Sequence, residues 1–190
     1  FRDDDDSYYM YFGGLWGGQL QRWRSGHFNK DNPESPTAFI PDNNEPALLP
    51  FVAKMNDTLL EFSEEPKEIQ ILDECGLLLL AGDNDRRFFE AAWVHKKDDI
   101  YYLSYSTGNT HLIVYATSDN PYGPFVYQGI MNNPVQGWTN HHSTLEIDDK
   151  WYFFYHDTQI SGKDFLRNVK VTEMFHKKDG SIKPINTIIK

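Results

Sequence analysis

Apolar residues along this chain fall in short runs and alternations rather than at helical spacing. Three runs superpose without a gap: Asp5-Asp6-Ser7-Tyr8-Tyr9-Met10-Tyr11-Phe12, Asp98-Asp99-Ile100-Tyr101-Tyr102-Leu103-Ser104-Tyr105 and Asp148-Asp149-Lys150-Trp151-Tyr152-Phe153-Phe154-Tyr155. Each reads as an acidic turn, an aromatic pair and an aromatic close. Paired aspartates supply the short polar side chains that hairpin turns favour, and the aromatic run after them has the composition of a strand packed on both faces. A further strand is predicted after each repeat, over residues 18–23, 111–116 and 166–171. The pattern predicts an all-β fold built from three related units.

The last two repeats begin at Asp98 and Asp148, a separation typical of propeller blades of about 50 residues. A β-propeller is therefore the leading architecture. An antiparallel sandwich also spaces short strands with turns, but it does not usually repeat one turn-plus-aromatic signature in register. The units are predicted over residues 1–87, 88–135 and 136–190, the first enlarged by an insertion at 24–87. Within it, residues 29–50 hold five of the ten prolines and read as an irregular loop. Residues 51–72 return to alternation and read as the outer strand of the first unit. A closed propeller needs about four to eight blades, and the chain opens at a hairpin tip, so the expectation is a fragment of a larger ring.

Composition narrows the function. Aromatics at 15% and hydrophobics at 39% of 190 residues suffice for a core. The net charge of −10 argues against nucleic acid as a partner, and no apolar run is long enough to span a membrane. The compartment stays open. Cys75, the single cysteine, excludes an internal disulfide and multi-cysteine metal sites. Its apolar neighbours Leu77 to Leu80 argue against a reactive thiol.

Candidate chemistry stands just ahead of the second and third repeats. Glu90 lies in Phe88-Phe89-Glu90-Ala91-Ala92-Trp93. A carboxylate among apolar neighbours is costly to ionise, and a raised pKa is what a general acid needs near neutral pH. The competing reading is a structural glutamate bonded to backbone, Arg86 or Arg87. In Asn140-His141-His142-Ser143 only one histidine can face the axis, because adjacent strand residues point to opposite faces. Such a histidine either binds a metal with waters, bonds a carboxylate, or is a satisfied buried residue. Arg167 is a candidate inward clamp for a sugar or carboxylate, or else a surface residue.

The ordered set Phe1-x-Asp3-Asp4-Asp5 with Tyr9-x-Tyr11-Phe12-Gly13, Phe89-Glu90-Ala91-Ala92-Trp93 with Tyr101-Tyr102, and Asn140-His141-His142-Ser143 with Trp151-Tyr152 and Tyr155-His156 resembles glycoside hydrolase family 43. The resemblance covers nearly the whole chain. It implies a five-bladed β-propeller that hydrolyses xylose- or arabinose-containing plant polysaccharides or their oligosaccharides with inversion, as a β-xylosidase or α-L-arabinofuranosidase. Of the family's three carboxylates, the general acid matches Glu90. The general base and the pKa-tuning aspartate would precede residue 1, so the three units become the third to fifth blades, a C-terminal fragment whose partner is the missing N-terminal blades. Alone it is expected to be inactive, with Asp3 to Asp6 as turn residues.

The resemblance also implies that His141, rather than His142, takes the axial position, where it helps hold a calcium ion or water. No cofactor is required for the chemistry. Arg167 resembles an active-site arginine of the last blade, and Trp16 and Trp93 become candidates for stacking on a sugar ring. Two departures stand out: Thr139-Asn140 where glycine is frequent, and Glu-Ala-Ala where Glu-Gly-Pro or Glu-Ala-Pro is common. A non-catalytic carbohydrate-binding propeller and an arabinan-cleaving enzyme are the alternatives.

Overall fold

The paired aspartates do what their side chains suit them for. Asp98 and Asp99 have φ of 50° and 62°, Asp148 and Asp149 of 51° and 61°. Two consecutive residues in the left-handed region make the two-residue turn whose twist matches a hairpin. The first repeat turns differently. Asp6 N–H donates to Asp3 C=O and Asp3 N–H to Ser7 C=O, with only Asp6, at φ 63°, in the left-handed region. That is a three-residue loop, one residue longer than the other two tips.

The computed structural model describes residues 1–14, 41–137 and 140–187. Among these residues every regular element is a strand. β1 (Tyr9–Phe12), β2 (Phe51–Lys54) and β3 (Lys67–Glu68) form an antiparallel sheet in that order. A second sheet is the meander β5 (Glu90–Lys97), β6 (Ile100–Ser106), β7 (Ile113–Ser118) and β8 (Phe125–Asn132), with β4 (Ile71–Leu72) parallel to β8 at its outer edge. The third is β9 (His142–Ile147), β10 (Lys150–Asp157) and β11 (Asn168–Met174). The first strands of the sheets neighbour one another, β5 lying against both β1 and β9.

Both faces of the middle sheet are covered, which accounts for the continuous aromatic runs. Along β6, Tyr101, Leu103 and Tyr105 enter the core shared with Tyr9 and Val52, whereas Tyr102 enters the core shared with Phe153 and Met174. Alternation by one residue thus feeds two cores from one strand. Burying each such aromatic is worth about 1.5–3 kcal/mol.

The segment 51–72 departs from its expected place as one outer strand. β2 pairs directly with β1 (Tyr9 opposite Lys54), β3 continues that sheet, and β4 crosses to the second sheet. Short alternations in sequence carry no record of which neighbour they pair with. The third strands begin two residues later than expected. The strand at 18–23 and Trp16 lie outside the described residues. Asp3 is more than a turn residue: its side chain is buried between the first two sheets, bonded to Tyr101 and Lys96. Cys75 is exposed, at the tip of the turn from Asp73 to Leu77, so its apolar neighbours do not bury it.

Candidate active site

Glu90 opens β5 and His141 immediately precedes β9, so the two stand at the same end of adjacent inner strands. His141 Nε2 lies 3.2 Å from Glu90 Oε1, with the glutamate side chain 24% exposed and the histidine 52%. Among the described residues Glu90 Oε2 has no hydrogen-bond partner. Arg86 pairs with Asp83 and Glu74, and Arg87 with Asn84, so the arginines invoked as structural partners of Glu90 are engaged elsewhere.

The backbone around Glu90 is irregular. Glu90 opposes Ser106 and Trp93 opposes Ser104, leaving Ala91 and Ala92 as a bulge against one residue of β6. Ala91 has φ 63°, in the left-handed region that costs an L residue about 1–2 kcal/mol. The bulge re-aims the strand end that carries Glu90. Across the hairpin, Gly108 has φ 77°, and a Cβ there would fall 2.3 Å from the Phe89 ring. The residue before Glu90 is therefore held by a contact only glycine permits.

His142 turns away from Glu90. Its Nε2 meets Ser104 Oγ at 2.6 Å and its ring stacks on Phe153. Burial, with a smaller contribution from His141, lowers its pKa to about 3, so it stays neutral. His156 was read from sequence only as part of the Tyr155-His156 motif, with no site role, yet its Nε2 accepts the His141 backbone N–H at 3.1 Å. The signal was present in the repeats. His142 opposes Tyr155 in the third sheet as the bulge at Ala91–Ala92 opposes Tyr105 in the second, so Glu90 and His141 occupy equivalent places, as do Ser106 and His156.

Trp93 projects from β5 toward the third sheet and is 38% exposed. Its Nε1–H donates to Thr144 Oγ1 at 3.0 Å, and that hydroxyl in turn meets His95 Nδ1 at 3.1 Å. His95 Nε2 in turn faces His176 Nε2 at 3.1 Å, one ring nitrogen of the pair donating to the other. Burial keeps this pair neutral, lowering His95 well below the usual histidine range and His176 to about 4. The indole is thus tied into the seam between sheets. A groove of about 670 Å³ runs past Trp93, Tyr9 and Leu145, and its lining includes neither Glu90 nor His141. Arg167 is exposed, its Nε donating to Asp164 C=O at 3.0 Å. Its charge reaches His156, whose pKa is lowered by burial, by Arg167 and by His141.

Residues 44–182 match Glycosyl hydrolases family 43. A Xylosidase/arabinosidase of Bacteroides ovatus is 52% identical over 181 residues, covering 95% of this chain and 54% of that protein. A Beta-xylosidase of Xylanibacter ruminicola is 47% identical over 186 residues, covering 97% and 56%. Among solved structures, a calcium-free family 43 beta-xylosidase/alpha-arabinofuranosidase from a compost microbial metagenome, in complex with xylotriose, superposes with a TM-score of 0.92 at 56% identity, covering 100% of this chain and 57% of that one. The chain spans about half the length of the relatives it matches. On the family match and on this similarity, the chain belongs to glycosyl hydrolases family 43.

Proposed function

We propose that the full-length protein carrying this chain is an inverting glycoside hydrolase of xylose- or arabinose-containing polysaccharides or their oligosaccharides, with Glu90 as general acid. The observation that carries the reading is the Glu90–His141 pair at the end of the inner strands, with Glu90 Oε1 held 3.2 Å from His141 Nε2. An oxygen held by a neighbour fixes the carboxyl plane, and the other is then placed to give its proton to a leaving oxygen. The substrate class rests on the relatives' names and on the xylose and xylotriose in complexes of a related Xanthomonas citri enzyme.

The three sheets are then three of five propeller blades. The general base and the pKa-tuning aspartate belong to the rest of the protein, which completes the ring. Glu90 protonates the leaving group while the base activates water from the opposite face of the sugar. Inversion leaves room for that water, so the two carboxyls should stand about 6.5–9.5 Å apart. Arg167, His141, Trp93 and Trp16 are assigned to substrate binding.

A calcium ion at the axis would find His141 and Glu90 as side-chain donors. Calcium prefers about six to eight oxygens, and no group of three or more His, Cys, Asp or Glu converges among the described residues. These residues alone do not fit the ion.

Hydrolysis of nitrophenyl β-xyloside and nitrophenyl α-L-arabinofuranoside by the full-length protein and its Glu90→Gln variant tests the reading. Loss of activity in the variant, with retention on substrates whose leaving group needs no proton, supports it. A parent protein that cleaves neither substrate while binding oligosaccharide would favour the carbohydrate-binding alternative.

A further inference from the structure

His141 lies just beyond the last paired residue of β9, where the ladder to β10 ends at His142 opposite Tyr155. Its backbone N–H donates instead to a side chain, His156 Nε2, at 3.1 Å. An imidazole that accepts through Nε2 carries its proton on Nδ1, so His156 is neutral in this arrangement. The two rings lie nearly parallel, with centroids 6.2 Å apart at 25°. At the other end of the same residue, His141 Nε2 touches Glu90 Oε1. His141 is thereby fixed twice, its amide by β10 and its ring by β5.

We infer that His156 is a positioning residue for Glu90, acting through His141. The inference rests on the reading of Glu90 as the general acid. A hairpin does not need this histidine: the equivalent position in the middle sheet is Ser106, which stands opposite Glu90 and meets the strand through its backbone, its C=O accepting the Phe89 N–H at 2.9 Å. What His156 adds is an acceptor for an amide that the ladder leaves unpaired. Without it, that amide turns to water, the start of β9 is free to shift, and the His141 ring leaves the oxygen it holds. Proton transfer is sensitive to such displacement, since about an ångström of misplacement can cost on the order of a hundredfold. The loss falls on substrates whose leaving group must be protonated.

The test compares His156→Leu, which removes the acceptor, with His156→Gln, whose amide oxygen reaches the Nε2 position, in the full-length protein. kcat/KM is measured on xylotriose, whose leaving group needs a proton, and on dinitrophenyl β-xyloside, whose leaving group does not. The leucine variant is expected to lose about ten- to a hundredfold on xylotriose and less than about threefold on the dinitrophenyl substrate, with glutamine restoring most of the loss. Equal losses on both substrates, or a glutamine variant no better than leucine, would overturn the inference and leave His156 a structural residue. His156→Asn, whose amide stops at the Nδ1 position, replaces leucine if that variant does not fold. A Glu90→Gln variant without leaving-group selectivity marks the failure of the general-acid reading itself, and this inference falls with it.

Discussion

Lys96 stands between two carboxylates that distance and burial rank oppositely. Its Nζ is 2.8 Å from Asp4 Oδ2 and 3.0 Å from Asp3 Oδ1, but the Asp4 side chain is 82% exposed and that of Asp3 only 8%. Asp3 also accepts the Tyr101 hydroxyl at 2.5 Å and the Asp4 N–H at 2.8 Å. Burial pushes its carboxyl pKa up, and the bonds from Tyr101, Lys96 and the Asp4 amide outweigh that and bring it below the usual value. Breaking a buried pair from one side costs about 3–5 kcal/mol. Lys96 keeps Asp4 and some solvent, so we place Asp3→Asn at about 2–3 kcal/mol and Asp4→Asn within about 1 kcal/mol of zero. At about 2–4 °C per kcal/mol for a domain of this size, Asp3→Asn should lower Tm by about 4–12 °C. Thermal unfolding of both variants at pH 7 is the assay, with the Asp3–Lys96 double-mutant cycle to isolate the pair. A native pKa below the unfolded one makes this contribution full above about pH 4 and lost as pH falls through the native value, so the gap between variant and parent should close in acid. Equal losses from Asp3→Asn and Asp4→Asn would refute the argument that burial outranks the shorter distance.

The remaining predictions concern backbone strain and acid. Ala91→Gly should leave stability unchanged or raise it by up to about 1 kcal/mol, while Ala91→Val, a branched residue at φ 63°, should cost at least about 1 kcal/mol in urea unfolding. Gly108→Ala should cost at least about 2 kcal/mol, because the new methyl would meet the Phe89 ring at 2.3 Å at a φ that disfavours it. His142 and His176 have native pKa values of about 3 and about 4, below the usual histidine value. The unfolded chain then binds more protons in that window, so stability should fall steadily as pH drops from about 6.5 toward 4. Urea unfolding at a series of pH values checks this, and a flat profile would count against neutral buried histidines.

The hairpins were legible because two local signals agreed: aspartates that tolerate the left-handed region and aromatic runs that fill two cores. Glu90 stood out for a similar reason, as a carboxylate among apolar residues. Partner choice was not legible. Nothing in Ile71-Leu72 records that it pairs with Phe125 and Val126 of a different sheet rather than extending β3. The same limit hid Asp3, whose composition signals a turn while its side chain closes a contact with Tyr101, nearly a hundred positions away. His156 is an intermediate case: comparing the repeats places it opposite His141, but only the folded structure shows a side chain accepting a backbone amide there.

These long-range contacts converge on one strand. On one face of β5, Lys96 is tied to Asp3 in the loop that leads into β1; on the other, Trp93 and His95 are tied through Thr144 to the third sheet. Neither link touches Glu90, yet both fix the strand that begins with it, and the bulge at Ala91 lies between Glu90 and those anchors. A strand clamped on both faces and irregular only at its end transmits little movement from the core to Glu90. What adjusts Glu90 is then local: the Ala91 backbone, the Phe89–Gly108 contact and the His141 ring. Substitutions at Thr144 or Lys96 should therefore lower stability more than they alter the leaving-group dependence of hydrolysis, and substitutions at Ala91 or His156 should do the reverse. Measuring both quantities on the four sites in the full-length protein separates the two groups, and a Thr144→Val variant that is as stable as its parent but selectively slow on xylotriose would show that the core and Glu90 are coupled after all.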